Sequence, residues 1–315
     1  MSGKDGGRSG GAGRPEERES KGEELAEDEK RVLTLKGMAV VGLMGAGSYS
    51  RVLRCSREAG PDVAVKIIDR SKASSRFLNH FLPRELAIAR RLEHPNLART
   101  LDTLTVLNKT YVVMELAEDG DMEQYLSRNG AIPDRGEPND LPRSLFRQAL
   151  QGVQHMHSLG IVHRDIKIEN FFLCQGMRLK VGDFGFSREM GEEDLSKTFC
   201  GSKAYASPEL LQQRPYRGRL SDAWALGVAF FTMLECKMPF DDRDTGKMLR
   251  RQLARQIPYS RKSKQPARSL VSGLLCPEPE GRLSPAQALR HPFFLSAAAP
   301  LTFPAANLPT SSQPT

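Results

Sequence analysis

No run in this sequence is long and apolar enough to cross a bilayer. The most apolar stretch, around 223–234, is too short and too mixed for a span of about 20 residues. The first stretch, 1–30, has Leu25 as its one large aliphatic side chain after Met1, so it lacks the apolar core of a secretory signal. The Met1-Ser2 start also lacks the glycine that myristoylation requires. Such a segment cannot bury enough apolar area to offset its ordering entropy, and residues 1–37 are expected to form a disordered extension. Residues 295–315, rich in Ala, Pro, Ser and Thr, read as a flexible tail. The five cysteines, Cys55, Cys174, Cys200, Cys236 and Cys276, include no CxxC pair and read as free thiols of a reducing compartment. Together these absences predict a soluble cytoplasmic protein, in which Asn108-Lys109-Thr110 is an unmodified turn.

Aromatic residues are also missing, Tyr259 excepted, from the cluster Arg250, Arg251, Arg255, Arg261, Lys262, Lys264 and Arg268. Nucleic-acid surfaces interleave stacking rings with their cations. The formal net charge of +8 therefore reads as a solvated helical face, with a docking patch for an acidic partner as the alternative. Neither a nucleic acid nor a membrane is expected as a partner. With 39% hydrophobic and 27% charged residues, the composition suits one large domain or two lobes.

What is present is concentrated in His163-Arg164-Asp165-Ile166-Lys167-Ile168-Glu169-Asn170, answered by Asp183-Phe184-Gly185. One short loop thus offers a carboxylate, an ammonium and an amide, with a second carboxylate a hairpin away. Phosphoryl transfer needs this set: a group to orient a hydroxyl, a cation for the moving phosphoryl, and oxygen ligands for Mg²⁺. Upstream, the apolar stretch from Met38 runs into Met44-Gly45-Ala46-Gly47-Ser48-Tyr49-Ser50-Arg51-Val52, where glycines let backbone N–H groups approach phosphate oxygens. The alternating strand Val63-Ala64-Val65-Lys66 follows, then a helical run over 81–92 that carries Glu85. Apolar residues at helical spacing over 145–159 make His155 and His157 packing or surface residues rather than metal ligands.

These segments resemble the eukaryotic protein kinases over residues 38–294. The resemblance implies an α+β, bilobal fold with a small antiparallel β-sheet lobe carrying one main helix (38–114), a hinge (115–121) and a larger, mostly helical lobe (122–294). It implies an active enzyme that moves the γ-phosphate of ATP, with Mg²⁺, onto protein Ser or Thr. Asp165 and Lys167 would be catalytic, and Asn170 and Asp183 would hold the metal. ATP would lie against Met44, Gly45, Ala46, Gly47, Ser48, Tyr49, Ser50, Val52, Ala64, Lys66, Glu85, Glu115, Ala117, Asp121 and Phe172. Met114 would guard the deeper pocket. Thr198 would be a phosphorylation site read by Arg164 and Arg188, and Ser202 and Glu169 would face the substrate. Asp121 and Glu169 would favour arginine three residues before the acceptor. Glu209 would pair with Arg282, and Asp222 would brace the catalytic loop.

Three runs narrow the resemblance to the testis-specific serine/threonine kinases: Phe81-Leu82-Pro83-Arg84-Glu85-Leu86, Thr198-Phe199-Cys200-Gly201-Ser202 with Ala204-Tyr205-Ala206-Ser207-Pro208-Glu209, and Met238-Pro239-Phe240-Asp241-Asp242. That likeness implies a role in spermatid development, dependence on chaperones, an upstream activating kinase and a monomeric state. Departures from the kinase pattern are Ala89 where a large aliphatic is usual, Phe172 in place of Leu, and a longer loop over 132–140. The competing reading is a scaffold that keeps the fold without catalysis, although Lys66, Asp165 and Asp183 are all present.

Overall fold

The computed structural model describes residues 26–137 and 140–294. The expectations for residues 1–25 and for the tail 295–315 lie outside the described residues. In chain order, α1 (Glu27–Leu35) leads into β1 (Met38–Ala46), β2 (Ser50–Arg57) and β3 (Val63–Asp69). A π-helical turn, Phe77–Phe81, then feeds α2 (Leu82–Arg91), followed by β4 (Thr100–Val106) and β5 (Lys109–Glu115). The five strands form one antiparallel sheet in the order β1-β2-β3-β5-β4.

Strand alternation gives this sheet two apolar faces. Leu53, Val65, Ile67, Tyr111 and Val113 point one way and are buried together. Ala64, Lys66, Ile68 and Val112 point the other way, where α2 packs on Ile68 and Val112 through Leu82 and Leu86. The first face has to be covered as well. Helix α1 covers it, laying Val32 and Leu33 on the cluster, with Leu33 only 1% exposed.

This corrects one expectation. The extension 1–37 is ordered over Glu27–Leu35, while α2 is the main helix of the sheet lobe, as expected. The segment is polar in composition, but the apolar area that holds it lies on the sheet rather than in the helix. Acidic Glu27, Asp28 and Glu29 in its first turn also suit the positive end of the helix dipole.

The second lobe contains α3 (Met122–Asn129), α4 (Leu141–Ser158), β6 (Ile161–Val162), β7 (Phe171–Cys174), β8 (Arg178–Val181), β9 (Arg188–Glu189), β10 (Leu195–Ser196), α5 (Pro208–Leu211) and β11 (Tyr216–Arg217). It closes with α6 (Gly218–Glu235), α7 (Thr245–Leu253), α8 (Gln265–Leu274) and α9 (Pro285–Ala288). Helix α6 is apolar on all sides and is buried from Ser221 to Met233, as such helices must be. Helix α4 buries one face, Leu145, Phe146, Ala149, Leu150, Val153 and Met156, and Phe146 stacks on Phe230 of α6 at 4.1 Å. At its start, the Arg143 and Arg147 guanidiniums cover the rings of Phe293 and Phe294 and donate to the carbonyls of the same two residues. Several members of the basic cluster make internal contacts: Arg255 pairs with Glu278 at 2.6 Å, Lys264 donates to the Arg135 carbonyl, and Arg268 covers the Tyr259 ring. No described helix is long and apolar enough to cross a membrane.

Candidate active site

A cleft of about 610 Å³ separates the sheet lobe from the helical lobe. It is lined by Met44, Gly45, Val52, Ala64, Lys66, Glu85, Met114, Glu115, Ala117, Asp121, Asn170, Phe172 and Asp183, which the sequence scatters from position 44 to position 183. Ala46, Gly47, Ser48, Tyr49 and Ser50 do not line it. They form the tip of the β1–β2 hairpin, closed by Gly47 N–H donating to the Ser50 carbonyl at 2.7 Å. Tyr49 accepts from Asp69 N–H at 2.8 Å and packs its ring against Phe77 at 4.9 Å.

Lys66 stands on the cleft face of β3 and meets Glu85 of α2 at 3.3 Å. Burial alone would push the Lys66 ammonium down, but Glu85 and Asp183 outweigh it and hold its pKa above the ordinary lysine value. Ala89 and Leu86, on the same helix, line the cleft beside Phe184. Phe172 lies under the cleft because residue 182 is glycine: a Cβ there would stand 2.6 Å from the Phe172 ring.

Below the cleft, the loop after β6 is held from within the lobe. Asp222 of α6, 1% exposed, accepts from the backbone N–H groups of His163 and Arg164 at 2.8 Å each, and from His157 Nε2 at 2.8 Å. Arg164 needs this support because its φ is 67°, a left-handed conformation that costs a non-glycine residue free energy. His163 donates from Nε2 to the Gly182 carbonyl at 3.0 Å and accepts the Asp165 N–H at Nδ1, which fixes its neutral tautomer. The result is a compact polar triangle. Ser202 Oγ donates to Asp165 Oδ1 at 3.0 Å, Lys167 Nζ lies 3.0 Å from Asp165 Oδ2, and Lys167 Nζ donates to Ser202 Oγ at 3.3 Å. Burial lowers the Lys167 pKa, but the bonded Asp165 carboxylate more than reverses this, so Lys167 stays charged.

Asn170 and Asp183 suit a hard cation. Asn170 donates its amide N–H to the Asp165 carbonyl at 2.8 Å, which leaves the side-chain oxygen as its ligand atom, and both residues line the same cleft. Asp183 adopts a left-handed backbone, φ 59°, beside Lys66.

Other expected site residues are placed less directly. Thr198 is exposed; its N–H donates to Ser196 Oγ and its carbonyl accepts from Tyr216 Oη at 2.9 Å. Arg164 donates to the Phe186 carbonyl, while its charge is felt by Cys200 and by Tyr216, the residue that bonds Thr198. Arg188 lies exposed on β9. Asp121 caps α3 by accepting from Gln124 N–H at 2.9 Å, and Glu169 accepts from Tyr205 Oη at 3.4 Å. The expected scaffold pairs are formed: Arg282 meets Glu209 at 2.8 and 3.1 Å, and Asp222 braces the loop as described. Sequence reasoning missed His157 as a ligand of Asp222, Tyr205 as a partner of Glu169, and Lys180, which pairs with hinge Glu115 at 2.8 Å. Only the two-residue alternation of β8 hinted at Lys180 facing the cleft.

The family model for the protein kinase domain matches residues 38–294. The chain belongs to the protein kinase family. Testis-specific serine/threonine-protein kinase 2 of Mus musculus is 38% identical over 273 residues, covering 84% of this chain and 75% of the relative. Testis-specific serine/threonine-protein kinase 3 of the same species is 38% identical over 258 residues, covering 80% and 94%. CBL-interacting protein kinase 4 of Oryza sativa subsp. japonica is 37% identical over 258 residues, covering 80% and 56%. As a member of this family, the kinase is an ATP-dependent protein serine/threonine kinase that uses Mg²⁺.

Proposed function

We propose that this kinase transfers the ATP γ-phosphate to Ser or Thr of proteins bearing arginine three residues before the acceptor, and that phosphorylation of Thr198 activates it. Asp165 orients the acceptor hydroxyl and receives its proton as the oxygen attacks the γ-phosphorus; the bond to the ADP leaving oxygen breaks, and Lys167 follows the charge. Mg²⁺, held by Asn170 and Asp183, supplies charge neutralisation on the phosphates. Lys66, fixed by Glu85, positions those phosphates. The observation that carries this reading is the Asp165–Lys167–Ser202 triangle, in which base and cation already stand 3.0 Å apart. Asp121 and Glu169 supply the carboxylates for a substrate arginine. A phosphate on Thr198 would meet Arg164 and Arg188. The likeness to the testis-specific kinases supports work in spermatid development, with an upstream kinase and chaperones as partners, by a cytoplasmic monomer.

The test is γ-phosphate transfer from Mg·ATP to an Arg-x-x-Ser peptide by wild type, Asp165→Asn and Thr198→Ala. Wild type should be active, Asp165→Asn inactive and Thr198→Ala reduced. Equal rates on the Arg→Ala peptide would rule out the arginine preference. Intact ATP binding with no transfer and no autophosphorylation by wild type would favour the scaffold reading.

A further inference from the structure

Helix α1 lies before the first residue that the family model matches, yet it touches the neck of the phosphate-binding hairpin. Glu29 is 2% exposed although it carries a charge. Its carboxylate is bound by Arg51 of β2 and by Lys109 of β5, the latter at 3.0 Å, and Asp28 adds a second carboxylate 3.0 Å from Lys109. An acidic pair on the helix thus faces a basic pair on the sheet. Below it, Leu33 is buried, and Lys36 at the helix end pairs with Asp102 of β4 at 3.2 Å.

Arg51 occupies a particular position in the hairpin. It pairs with Ala46 across β1–β2, the last rung before the tip, and follows Ser50, whose carbonyl closes the loop. The next residue, Val52, points to the opposite face and lines the cleft. The same short strand therefore presents Arg51 to α1 and Val52 to the cleft, so a group that holds Arg51 holds the base of the glycine-rich tip.

We infer that Glu29 is a positioning residue for ATP: through Arg51 it sets the phosphate-binding hairpin from the far side of the sheet. This inference rests on the chain binding ATP as its family does. Loss of the Glu29 charge leaves Arg51 and Lys109 without their shared anion and frees the neck to move. The hold on the phosphates weakens equally in the ground state and the transition state, whereas the base, the cation and the peptide site in the other lobe are unaffected.

The experiment uses the full chain as wild type, Glu29→Gln, Arg51→Met and Lys109→Met. It measures KM for ATP and for peptide, kcat, melting temperature, and the Mg·ATP dissociation constant by calorimetry. Glu29→Gln and Arg51→Met should each raise KM and Kd for ATP about five- to tenfold, with kcat and peptide KM within about twofold of wild type. Lys109→Met breaks the same network without touching the hairpin, so it should lower the melting temperature alone. ATP constants unchanged in Glu29→Gln and Arg51→Met, or raised equally by Lys109→Met, would overturn the inference. If Glu29→Gln does not fold, Arg51→Met against Lys109→Met decides the matter. Wild type that neither binds nor turns over ATP would overturn the kinase reading and this inference with it, a result visible before any substitution.

Discussion

Replacing Asp222 with asparagine exchanges one oxygen for an NH₂ and should disable a loop that Asp222 itself does not belong to. The carboxylate accepts at one oxygen from Arg164 N–H, and at the other from His163 N–H and His157 Nε2, all at 2.8 Å. An amide keeps one oxygen. Its NH₂ must then face a backbone N–H at a position only 1% exposed, or flip and face two donors. Hydrogen bonds to a charged group contribute about 1.5–3 kcal/mol each, and a buried unpaired donor costs about 1–3 kcal/mol. The expected loss is about 3 kcal/mol, or about 6–12 °C in melting temperature for a domain of this size. Arg164, at φ 67°, is the residue that relaxes when its bond is lost, and it immediately precedes Asp165. kcat should therefore fall about 100-fold while the ATP constant, set mainly in the other lobe, stays close to wild type. Calorimetric melting and steady-state kinetics on one preparation read both numbers. An Asp222→Asn protein with unchanged melting temperature and kcat would refute the reasoning.

Gly201 should not tolerate alanine: at φ +87° the added Cβ would stand 2.4 Å from the Arg164 carbonyl, so Gly201→Ala should lose about 100-fold in kcat with ATP binding retained by calorimetry. Arg282→Met leaves Glu209 buried without its cation and should cost about 3–5 kcal/mol by denaturant unfolding; adding Glu209→Gln should recover part of it. Ala89→Leu should fill the space between α2 and Phe184 and raise basal transfer about threefold, and unchanged or lower activity would count against that role. The pH response follows from two signs. Lys66 and Lys167 have raised pKa values, so their contribution is complete below about 10.5 and fades only as pH rises through the folded values. Asp222 is held low: burial opposes its charge, but the His157 bond and the backbone donors prevail. Its contribution is present above about 3.8 and is lost as pH falls through the folded value. A wild-type alkaline limb near pH 8 that vanished in Lys66→Arg would contradict the lysine assignment.

Most of the cleft was legible because its chemistry sits in short runs. The loop from His163 to Asn170, the Asp183 motif and the strand ending in Lys66 each carry their roles in adjacent residues, so local spacing revealed them. Partnerships formed across the fold were harder to see. Lys180 with Glu115, and Tyr205 with Glu169, join residues whose separate surroundings say nothing of one another. Helix α1 was misread for a different reason. Its own composition is too polar to fold alone, and its stabilising area belongs to Leu53, Val65 and Tyr111, on strands whose second apolar face invites a cover. A strand with apolar residues on both faces signals that something covers each of them.

Helix α4 has a geometric consequence of its own. Its 18 residues make a straight rod of about 27 Å. At one end the Arg143 and Arg147 guanidiniums fasten Phe293 and Phe294; past the other end the chain enters the catalytic loop. The Phe293–Phe294 anchor and the catalytic loop are thus tied to opposite ends of one helix, so a displacement at one is carried to the other along about 27 Å of rod.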